Sequence, residues 1–315
     1  MNNEFIHKPV LFREVIEYLD CKEGNFYLDC TTGAGGHSSE ILRVIGKSGF
    51  LYCLDRDFNA ISAAKTALDD VGENYKLIKS NYSQIDKIIE ENNIPKLDGI
   101  LFDLGVSSPQ LDHTERGFSF SKEATLDMRF AQDENETLTA EDLVNKLSKD
   151  ELVKIFSEYG EEPYSKTIAE AIVEDRKKNR IVTTTQLSSL IIKSLAGKKF
   201  KGNIHPATRV FQALRIKVNE ELTGITQVIP LAVNALKTGG RLAIISFHSL
   251  EDRIVKEAFR EETKDCICPS RQPICTCNKV AQGKIITKKP VMAQDDEISK
   301  NKRARSAKLR VLEKI

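Results

Sequence analysis

The sequence predicts an α/β fold with a mostly parallel sheet, helices on both of its faces, and a helical subdomain inserted between two strands. From residue 25 onward, apolar runs alternate with segments of helical spacing, in the order NFYLDC, SSEILRVI, FLYCLD, NAISAAKTALDD, YKLIKS, SQIDKIIEE and LDGILFDLG. Short, nearly continuous apolar runs are typical of strands buried on both faces. Repeated strand–helix–strand units then give parallel strands.

The alternation stops after Leu104, and the following residues are polar with a helical period. Helical segments are predicted in TAEDLVNKLSKDELVKIFSEYG, SKTIAEAIVEDRKK and TTTQLSSLIIKSL. Structureless loops longer than about 15 residues are uncommon, so this block is predicted to fold as its own subdomain. We therefore place a discontinuous main domain at 1–111 and 202–315, and an inserted helical substrate-recognition subdomain at 112–201.

The last third resumes the alternation. A long helix, ATRVFQALRIKVNEELTGITQVIPLAVNAL, is predicted to be interrupted at Gly224 and Pro230, and the strand RLAIISF and the helix SLEDRIVKEAFR follow it. The segments KIITKKPVM and KLRVLEKI predict two closing strands around a basic, mobile connector.

Composition narrows the class of protein. Hydrophobic residues make up 40% and charged residues 30% of the chain, and its start lacks the pattern of a secretory signal. No apolar run approaches the roughly 18 residues of a membrane span, so we expect a cytoplasmic protein without a membrane partner. Seven cysteines, an odd number, do not suit a disulfide framework in a chain of this size, which predicts reduced thiols.

The net charge of +1 hides two basic segments. Residues 176–201 contain eight basic and no acidic residues, and residues 284–310 contain nine basic and three acidic ones. Such segments suit nucleic acid, although a lysine-rich run is more commonly solvated surface.

Three glycines, Gly33, Gly35 and Gly36, lie between the first predicted strand and the first predicted helix. At this place in an α/β fold a ligand can approach the backbone closely. A dinucleotide-binding loop needs a third glycine at position 38, which is Ser38 here. S-adenosylmethionine has no pyrophosphate and needs only close approach of the loop to its amino-acid part. A glycine-rich turn without a ligand is the alternative.

Polar residues also follow the next predicted strands. Asp55 could accept hydrogen bonds from a ribose diol, or it could cap the following helix, as Asp57 also could. Tyr82 could flank an adenine, and Asp103 ends a central strand where an unpaired carboxylate is costly to bury. The alternative for Asp103 is a cap on the turn at Gly105.

Four cysteines lie within twelve residues, at Cys266, Cys268, Cys275 and Cys277. They could supply four thiolates to zinc. The spacing differs from the usual C-x-x-C pair, and a loop of reduced thiols is the simpler account. No metal site is predicted, and zinc stays open.

Longer strings of residues carry a family resemblance, among them LDCTTGAGGHS, LDRDFNAI, DGILFDLGVSSPQLDHTERGFSF, HPATRVFQALRIKVNEEL, SFHSLEDRIVK and RARSAKLRVLEKI. From about His7 to the C-terminus the chain resembles the bacterial RsmH (MraW) methyltransferases, which methylate the exocyclic N4 amine of a cytidine in small-subunit ribosomal RNA. The resemblance implies a class I S-adenosylmethionine-dependent methyltransferase fold. It also implies cofactor contacts at Gly35, Gly36, His37, Asp55, Tyr82, Asp103 and Gln110. Tyr82 stands where family members often carry Phe, and Ala34 replaces a common Arg.

Methyl transfer to a cytosine amine needs help, because the nitrogen lone pair is conjugated with the ring. A hydrogen-bond acceptor on the amine lowers the barrier, and Asp103 is the predicted catalytic residue. His37 and His248 are the other groups considered as bases. His248 is better placed to contact the target nucleotide, and Arg253 is predicted to help it by contacting phosphate. Phosphate contacts are predicted in the segments 176–180, 193–201 and 300–310. The expected partner is small-subunit ribosomal RNA within the small ribosomal subunit, and a homodimer is left open.

Overall fold

A computed structural model describes residues 9–105, 116–130, 138–198, 205–269, 272 and 274–315. The chain divides into two compact units. We call Met1–Gly105 with Leu222–Ile315 the sheet unit, and Val106–Glu221 the helical unit.

The described residues of the sheet unit contain one sheet with the strand order β3-β2-β1-β4-β5-β8-β6, and β7 pairs with β8. Its strands are β1 (Phe26–Asp29), β2 (Phe50–Asp55), β3 (Tyr75–Lys79), β4 (Leu97–Asp103), β5 (Leu236–Ser246), β6 (Gly283–Ile285), β7 (Val291–Met292) and β8 (Lys308–Lys314). Strands β1 to β5 run parallel to one another, and β8 runs antiparallel to β5, β6 and β7. The predicted fold class, a Rossmann-like and mostly parallel sheet with an inserted helical unit, is confirmed.

The helices of the sheet unit follow the strands as the alternation predicts. They are α1 (Phe12–Tyr18), α2 (Gly36–Ile45), α3 (Phe58–Asp69), α4 (Ile85–Glu91), α10 (Glu221–Ala235), α11 (Ser249–Glu262) and α12 (Asp295–Lys300). Alternate residues of a strand point to opposite faces, so each strand contributes to two cores. In β4, Ile100 and Phe102 pack with α4, α10 and α11, whereas Leu101 packs with α1, α2 and α3. The sheet is therefore covered on both faces, which explains its continuous apolar runs.

The predicted interruption of the long helix at Gly224 and Pro230 is wrong. The break lies at Glu220, which has a left-handed φ of 50°, between α9 (Thr208–Asn219) and α10. Pro230 lacks an N–H and removes one helical hydrogen bond, but its ring is on the exposed side of α10. Buried side chains on the opposite side, such as Ile229 and Val233, stabilise the helix through it.

The helical unit contains α5 (Ala140–Lys146), α6 (Lys149–Glu158), α7 (Ser165–Asp175), α8 (Thr184–Ser194) and α9. Three of these helices begin with a capping box, in which a Ser or Thr side chain and an acidic or amide side chain three residues later satisfy each other's backbone N–H groups. The boxes begin at Thr139, Ser148 and Thr183. The apolar faces of these helices meet in a core that includes Phe156, Ile168 and Leu187.

The helical unit ends at Glu221, later than the predicted boundary at 201. The difference arises because α9 presents Val210, Phe211 and Leu214 to the core of this unit. Sequence periodicity shows that α9 has an apolar face but does not show which core that face joins.

The C-terminal segment closes the sheet, with β8 between β5 and β6, and β8 is one of the two predicted closing strands. The other predicted strand, at residues 284–292, is wrong as a single element, because the chain there forms the two short strands β6 and β7. The basic connector differs from the prediction of a mobile segment, because it contains α12 and a 3₁₀ turn at Lys302–Ser306 with Ala304 buried. Among the helices in the described ranges, none has the length and apolarity needed to span a bilayer.

Candidate active site

Three neighbouring strands end in an aspartate at the same edge of the sheet. Asp29 ends β1, Asp55 ends β2, and Asp103 ends β4. Strands β2 and β4 flank β1 on its two sides, so the order of the strands reverses here. In open α/β sheets, ligands bind at the carboxyl ends of strands at such a point.

Hydrogen bonds tie the loop after β1 to both flanking strands. The N–H of Gly33 donates to Oδ2 of Asp55 over 2.9 Å. The N–H of Asp103 donates to Oγ1 of Thr31 over 2.6 Å. The loop is thus held by backbone groups and short side chains, which gives it a defined shape for a ligand.

The loop glycines have structural reasons of their own. Gly35 is the N-cap of α2 with a φ of 87°, a left-handed conformation that favours glycine. A Cβ at Gly35 would lie 3.2 Å from Cα of Ala64, and one at Gly36 would lie 3.3 Å from Cβ of Pro9. Close packing of α2 therefore accounts for these two glycines, whether or not they also contact a cofactor.

Asp55 orients the backbone of the site. Its Oδ2 accepts from Gly33, and its Oδ1 accepts from the N–H of Asp57 over 2.9 Å. The helix cap that the sequence left open between two aspartates is Asp57, whose Oδ1 accepts from the N–H of Asn59. Burial raises the pKa of Asp55. Each carboxylate oxygen can accept a second hydrogen bond, so Asp55 can still receive a ribose hydroxyl.

Asp29 belongs to this cluster, and sequence reasoning missed it. Its side chain is 1% exposed, and its oxygens accept from the N–H of Thr31 over 3.0 Å and from Oγ of Ser38 over 2.6 Å. Burial raises its pKa to about 6. The available signal was an aspartate directly after an apolar strand, the same signal that identified Asp103.

The side chain of Asp103 is partly exposed to solvent, and one of its carboxylate oxygens lacks a hydrogen-bond partner in the described part of the chain. Its side chain is 28% exposed, but Oδ1 is buried and has no hydrogen-bond partner among the described residues. Burial, followed by the negative charges of Asp29 and Glu251, raises the pKa of Asp103 to about 8. Buried polar atoms are nearly always hydrogen-bonded, so this oxygen is suited to a ligand that donates an N–H or O–H.

His37, in the first turn of α2, lies beside Asp103 without forming an ion pair. Its Nε2 is 3.7 Å from Oδ2 of Asp103, longer than a hydrogen bond. The imidazole is 5% exposed, and burial lowers its pKa to about 4. His37 is therefore neutral at pH 7 and supplies no positive charge that would keep Asp103 ionised.

Tyr82 begins a 3₁₀ turn after β3, and its ring meets the ring of Phe102 edge to face at 5.5 Å. The ring also limits space near Gly224, where a Cβ would lie 3.4 Å from Cε2 of Tyr82. Tyr82 is thus packed beside the end of β4, on which Asp103 lies.

The predicted contact at Gln110 lies outside the described residues.

His248 has a clear local role. It is the N-cap of α11, where Nδ1 accepts from the N–H of Glu251 and Nε2 lies 3.0 Å from Oε1 of the same residue. Glu251 is fully buried and also accepts from the N–H of Phe247 over 2.7 Å. These contacts fix the start of α11, and contact of His248 or Arg253 with a nucleotide stays a prediction.

Several side chains of the basic segments bind within their own unit. In the helical unit, Arg176 donates to the carbonyl of Val144 over 2.7 Å, and Arg180 pairs with Glu141 over 2.6 Å. In the sheet unit, Arg310 lies in β8 and pairs with Asp252 over 2.6 Å. These side chains stabilise the fold, which leaves fewer groups for phosphate than the sequence predicted.

The family model described as the MraW methylase family matches residues 4–315. The chain belongs to the MraW methylase family. A protein named Ribosomal RNA small subunit methyltransferase H from Halothermothrix orenii is 48% identical over 309 residues, which cover 98% of this chain and 98% of that protein. Its namesake from Clostridium botulinum strain Kyoto is 51% identical over 312 residues, or 99% of this chain and all of that protein. The predicted family, the enzyme class of methyltransferase and the cofactor S-adenosylmethionine are thereby confirmed.

Proposed function

We propose that this methylase transfers a methyl group from S-adenosylmethionine to the exocyclic N4 amine of a cytidine in small-subunit ribosomal RNA. The family membership supports the substrate class, because the related proteins named above are small-subunit ribosomal RNA methyltransferases. One observation in the structure carries the mechanism. The buried Oδ1 of Asp103 has no partner in the described part of the chain and lies at the end of a central strand.

The cofactor fits the residues at this edge of the sheet. The loop from Gly33 to Gly36 would lie against its amino-acid part, Asp55 would accept from its ribose, and Tyr82 would flank its adenine. These assignments, with His37, Asp103 and Gln110, are the predicted cofactor contacts. When bound, S-adenosylmethionine supplies an electrophilic methyl group on a sulfonium.

Asp103 would act as the hydrogen-bond acceptor for the target amine. As the nitrogen attacks, an N–H becomes more acidic, and a carboxylate within hydrogen-bond reach stabilises the developing positive charge. Burial of the carboxylate strengthens this interaction, because the local dielectric constant is low. A second role, contact with the cofactor, is compatible with the two oxygens of the same side chain.

The base must leave its stack to reach the cofactor, so the target is an extruded or single-stranded nucleotide. The small ribosomal subunit as the substrate, the cytoplasm as the location and substrate recognition by the helical unit are parts of the proposal that rest on the sequence. A homodimer is left open.

Labelled S-adenosylmethionine incubated with a small-subunit RNA transcript, with assembled small subunits or with free cytidine tests the proposal. We expect label in RNA or in subunits, and N4-methylcytidine after nuclease digestion and mass spectrometry. Label in protein, or in RNA at another atom, would contradict it. The variant Asp86→Asn, at an exposed aspartate in α4, is the matched control for Asp103→Asn and should retain activity.

A further inference from the structure

The loop between α11 and β6 brings four cysteines together. Cys266 and Cys268 lie on its outgoing arm, and Cys275 and Cys277 lie on its returning arm. The four Sγ atoms all lie within 4.8 Å of one another. The two arms thus face each other through their thiols.

The separations of the sulfurs match a tetrahedral metal site. The Sγ–Sγ distances are 3.9 Å for Cys268 and Cys275, 3.5 Å for Cys275 and Cys277, and 3.8 Å for Cys277 and Cys266. Zinc–sulfur bonds of about 2.3 Å in a tetrahedron place the sulfurs about 3.8 Å apart. A disulfide would require about 2.05 Å, and all four residues are free cysteines.

Backbone N–H groups point at these sulfurs. The N–H of Ile267 donates to Sγ of Cys277 over 3.4 Å, and the N–H of Cys268 donates to Sγ of Cys266 over 3.3 Å. The N–H of Thr276 donates to Sγ of Cys268 over 3.4 Å. Such donors favour the thiolate, which is the form that binds a metal.

The loop lacks an apolar core that would hold it together. Its aliphatic side chains are exposed, at 57% for Ile267, 75% for Ile274 and 66% for Val280. No side chain in the described parts of residues 263–282 is buried. Backbone pairing ties the base of the loop, where the N–H of Gln282 donates to the carbonyl of Glu262 over 2.8 Å. A bound metal would supply the missing cross-link at its tip.

We propose that Cys266, Cys268, Cys275 and Cys277 bind one Zn²⁺ ion. The four thiols lose their protons on binding, and the protein then fills all four positions of the tetrahedron. A closed set of four sulfurs leaves no place for water or substrate, so the site is structural. None of the four cysteines is a residue of the proposed methyl transfer, and neither proposal depends on the other.

Metal analysis of the full-length chain, purified under reducing and anaerobic conditions, tests the site. We expect about one zinc per chain, and less than about a tenth of that in the double variant Cys275→Ser with Cys277→Ser. Cys21→Ala, a variant at a half-buried cysteine elsewhere in the sheet unit, is the matched control and should keep its zinc. Cobalt added to the metal-free chain should give the visible absorption of a tetrahedral thiolate site, and zinc should abolish it.

Three outcomes would overturn the proposal. They are a wild-type chain that takes up no zinc from excess metal, iron with sulfide in place of zinc, and a double variant that binds zinc as well as wild type. Calorimetry with S-adenosylhomocysteine shows whether the double variant is folded, because a folded variant should bind this ligand as tightly as wild type does. Loss of zinc can then be distinguished from misfolding. A chain that holds zinc but does not methylate RNA would refute the proposed function alone.

Limited proteolysis of the wild-type chain shows what the metal does for the loop. With zinc bound, cleavage by a protease between residues 263 and 282 should be slow, and removal of zinc by a chelator should make it at least about tenfold faster. Equal cleavage with and without zinc would mean that the metal does not stabilise the loop, contrary to a structural role.

Discussion

Asp29, at the end of β1, and Arg180, in the basic segment 176–201, differ in how much water surrounds their charges. Asp29 is 1% exposed, whereas the side chain of Arg180 is 55% exposed. A buried carboxylate must be satisfied by backbone donors, by a ligand or by a proton, so its position constrains its role. An exposed guanidinium is already solvated and can pair with a neighbour at little cost. The acidic cluster therefore identifies a site more sharply than the basic segments do.

The sharpest test of this contrast is Asp103→Asn. It keeps the size of the side chain but removes the charge that would accept a proton from the amine. We expect methyl transfer to fall by about 10²–10⁴-fold, the usual contribution of such assistance. Single-turnover rates with saturating cofactor measure it, and the affinity for S-adenosylhomocysteine should change much less. A loss of activity explained entirely by weaker cofactor binding would contradict the catalytic role.

The pH dependence follows from the same carboxyl. The folded chain raises the pKa of Asp103 from 3.8 to about 8, so the group is mostly protonated at neutral pH before ligands bind. Only the ionised form accepts a proton, so the rate should rise with pH, reach half of its limit near pH 8 and level off above that. The positive charge of the bound cofactor favours the ionised carboxylate, so the rise in rate should occur at lower pH when the cofactor is bound. Asp103→Asn should show a flat profile over the same range.

Asp55→Asn is expected to have the next largest effect. It weakens the acceptors for the N–H groups of Gly33 and Asp57 and for the ribose. Hydrogen bonds to a charged acceptor are worth about 1.5–3 kcal/mol, so the affinity for S-adenosylhomocysteine should fall by about 10- to 100-fold in calorimetry.

A 2′-deoxy analogue of the ligand separates the two roles of Asp55. If Asp55 binds the ribose, wild type should discriminate against the analogue and Asp55→Asn should not. Discrimination that persists unchanged in the variant would mean that Asp55 only orients the loop.

In the basic tail, Arg310→Gln should destabilise the fold. The side chain of Arg310 is 9% exposed and pairs with Asp252, whose side chain is 14% exposed. Burial alone would raise the pKa of Asp252, but the hydrogen bond and charge of Arg310, with those of Lys308, lower it. Loss of Arg310 should reduce the free energy of unfolding by about 1–3 kcal/mol in urea titrations. Lys308→Gln is the matched control and should cost less, because Lys308 is 31% exposed.

The smallest effect is expected for Lys193→Gln, at an exposed lysine in α8. If Lys193 contacts a phosphate, affinity for RNA should fall severalfold, and the slope of log K against log salt should decrease by about 1. Lys47→Gln, an exposed lysine outside both basic segments, should leave the slope unchanged. An unchanged slope in Lys193→Gln would remove this residue from the proposed RNA contacts.

Local patterns in the sequence were sufficient for the sheet and for part of the site. The alternating strands and helices occur in the predicted order. Continuous apolar runs reflect strands buried on both faces, and the helical period reflects helices buried on one face. Asp55 and Asp103 end the predicted strands. The bond between Ser38 and Asp29 was not predictable, since it joins residues that only the packing of α2 on the sheet brings together.

The sequence by itself determined the family, the parallel sheet, the glycine loop and two of the aspartates at the strand ends, Asp55 and Asp103. Each of these depends on residues that are neighbours in the chain or on strings long enough to identify relatives. Tertiary structure alone decided which unit α9 joins, which aspartate caps α3, which basic side chains are paired within the protein and how closely the four cysteines approach one another. The packing of α9 and the paired basic side chains are contacts between residues far apart in the chain, and the order of residues does not specify their distance or burial. The cap on α3 and the cysteine loop are local, but they depend on backbone conformation, which the residue types left open.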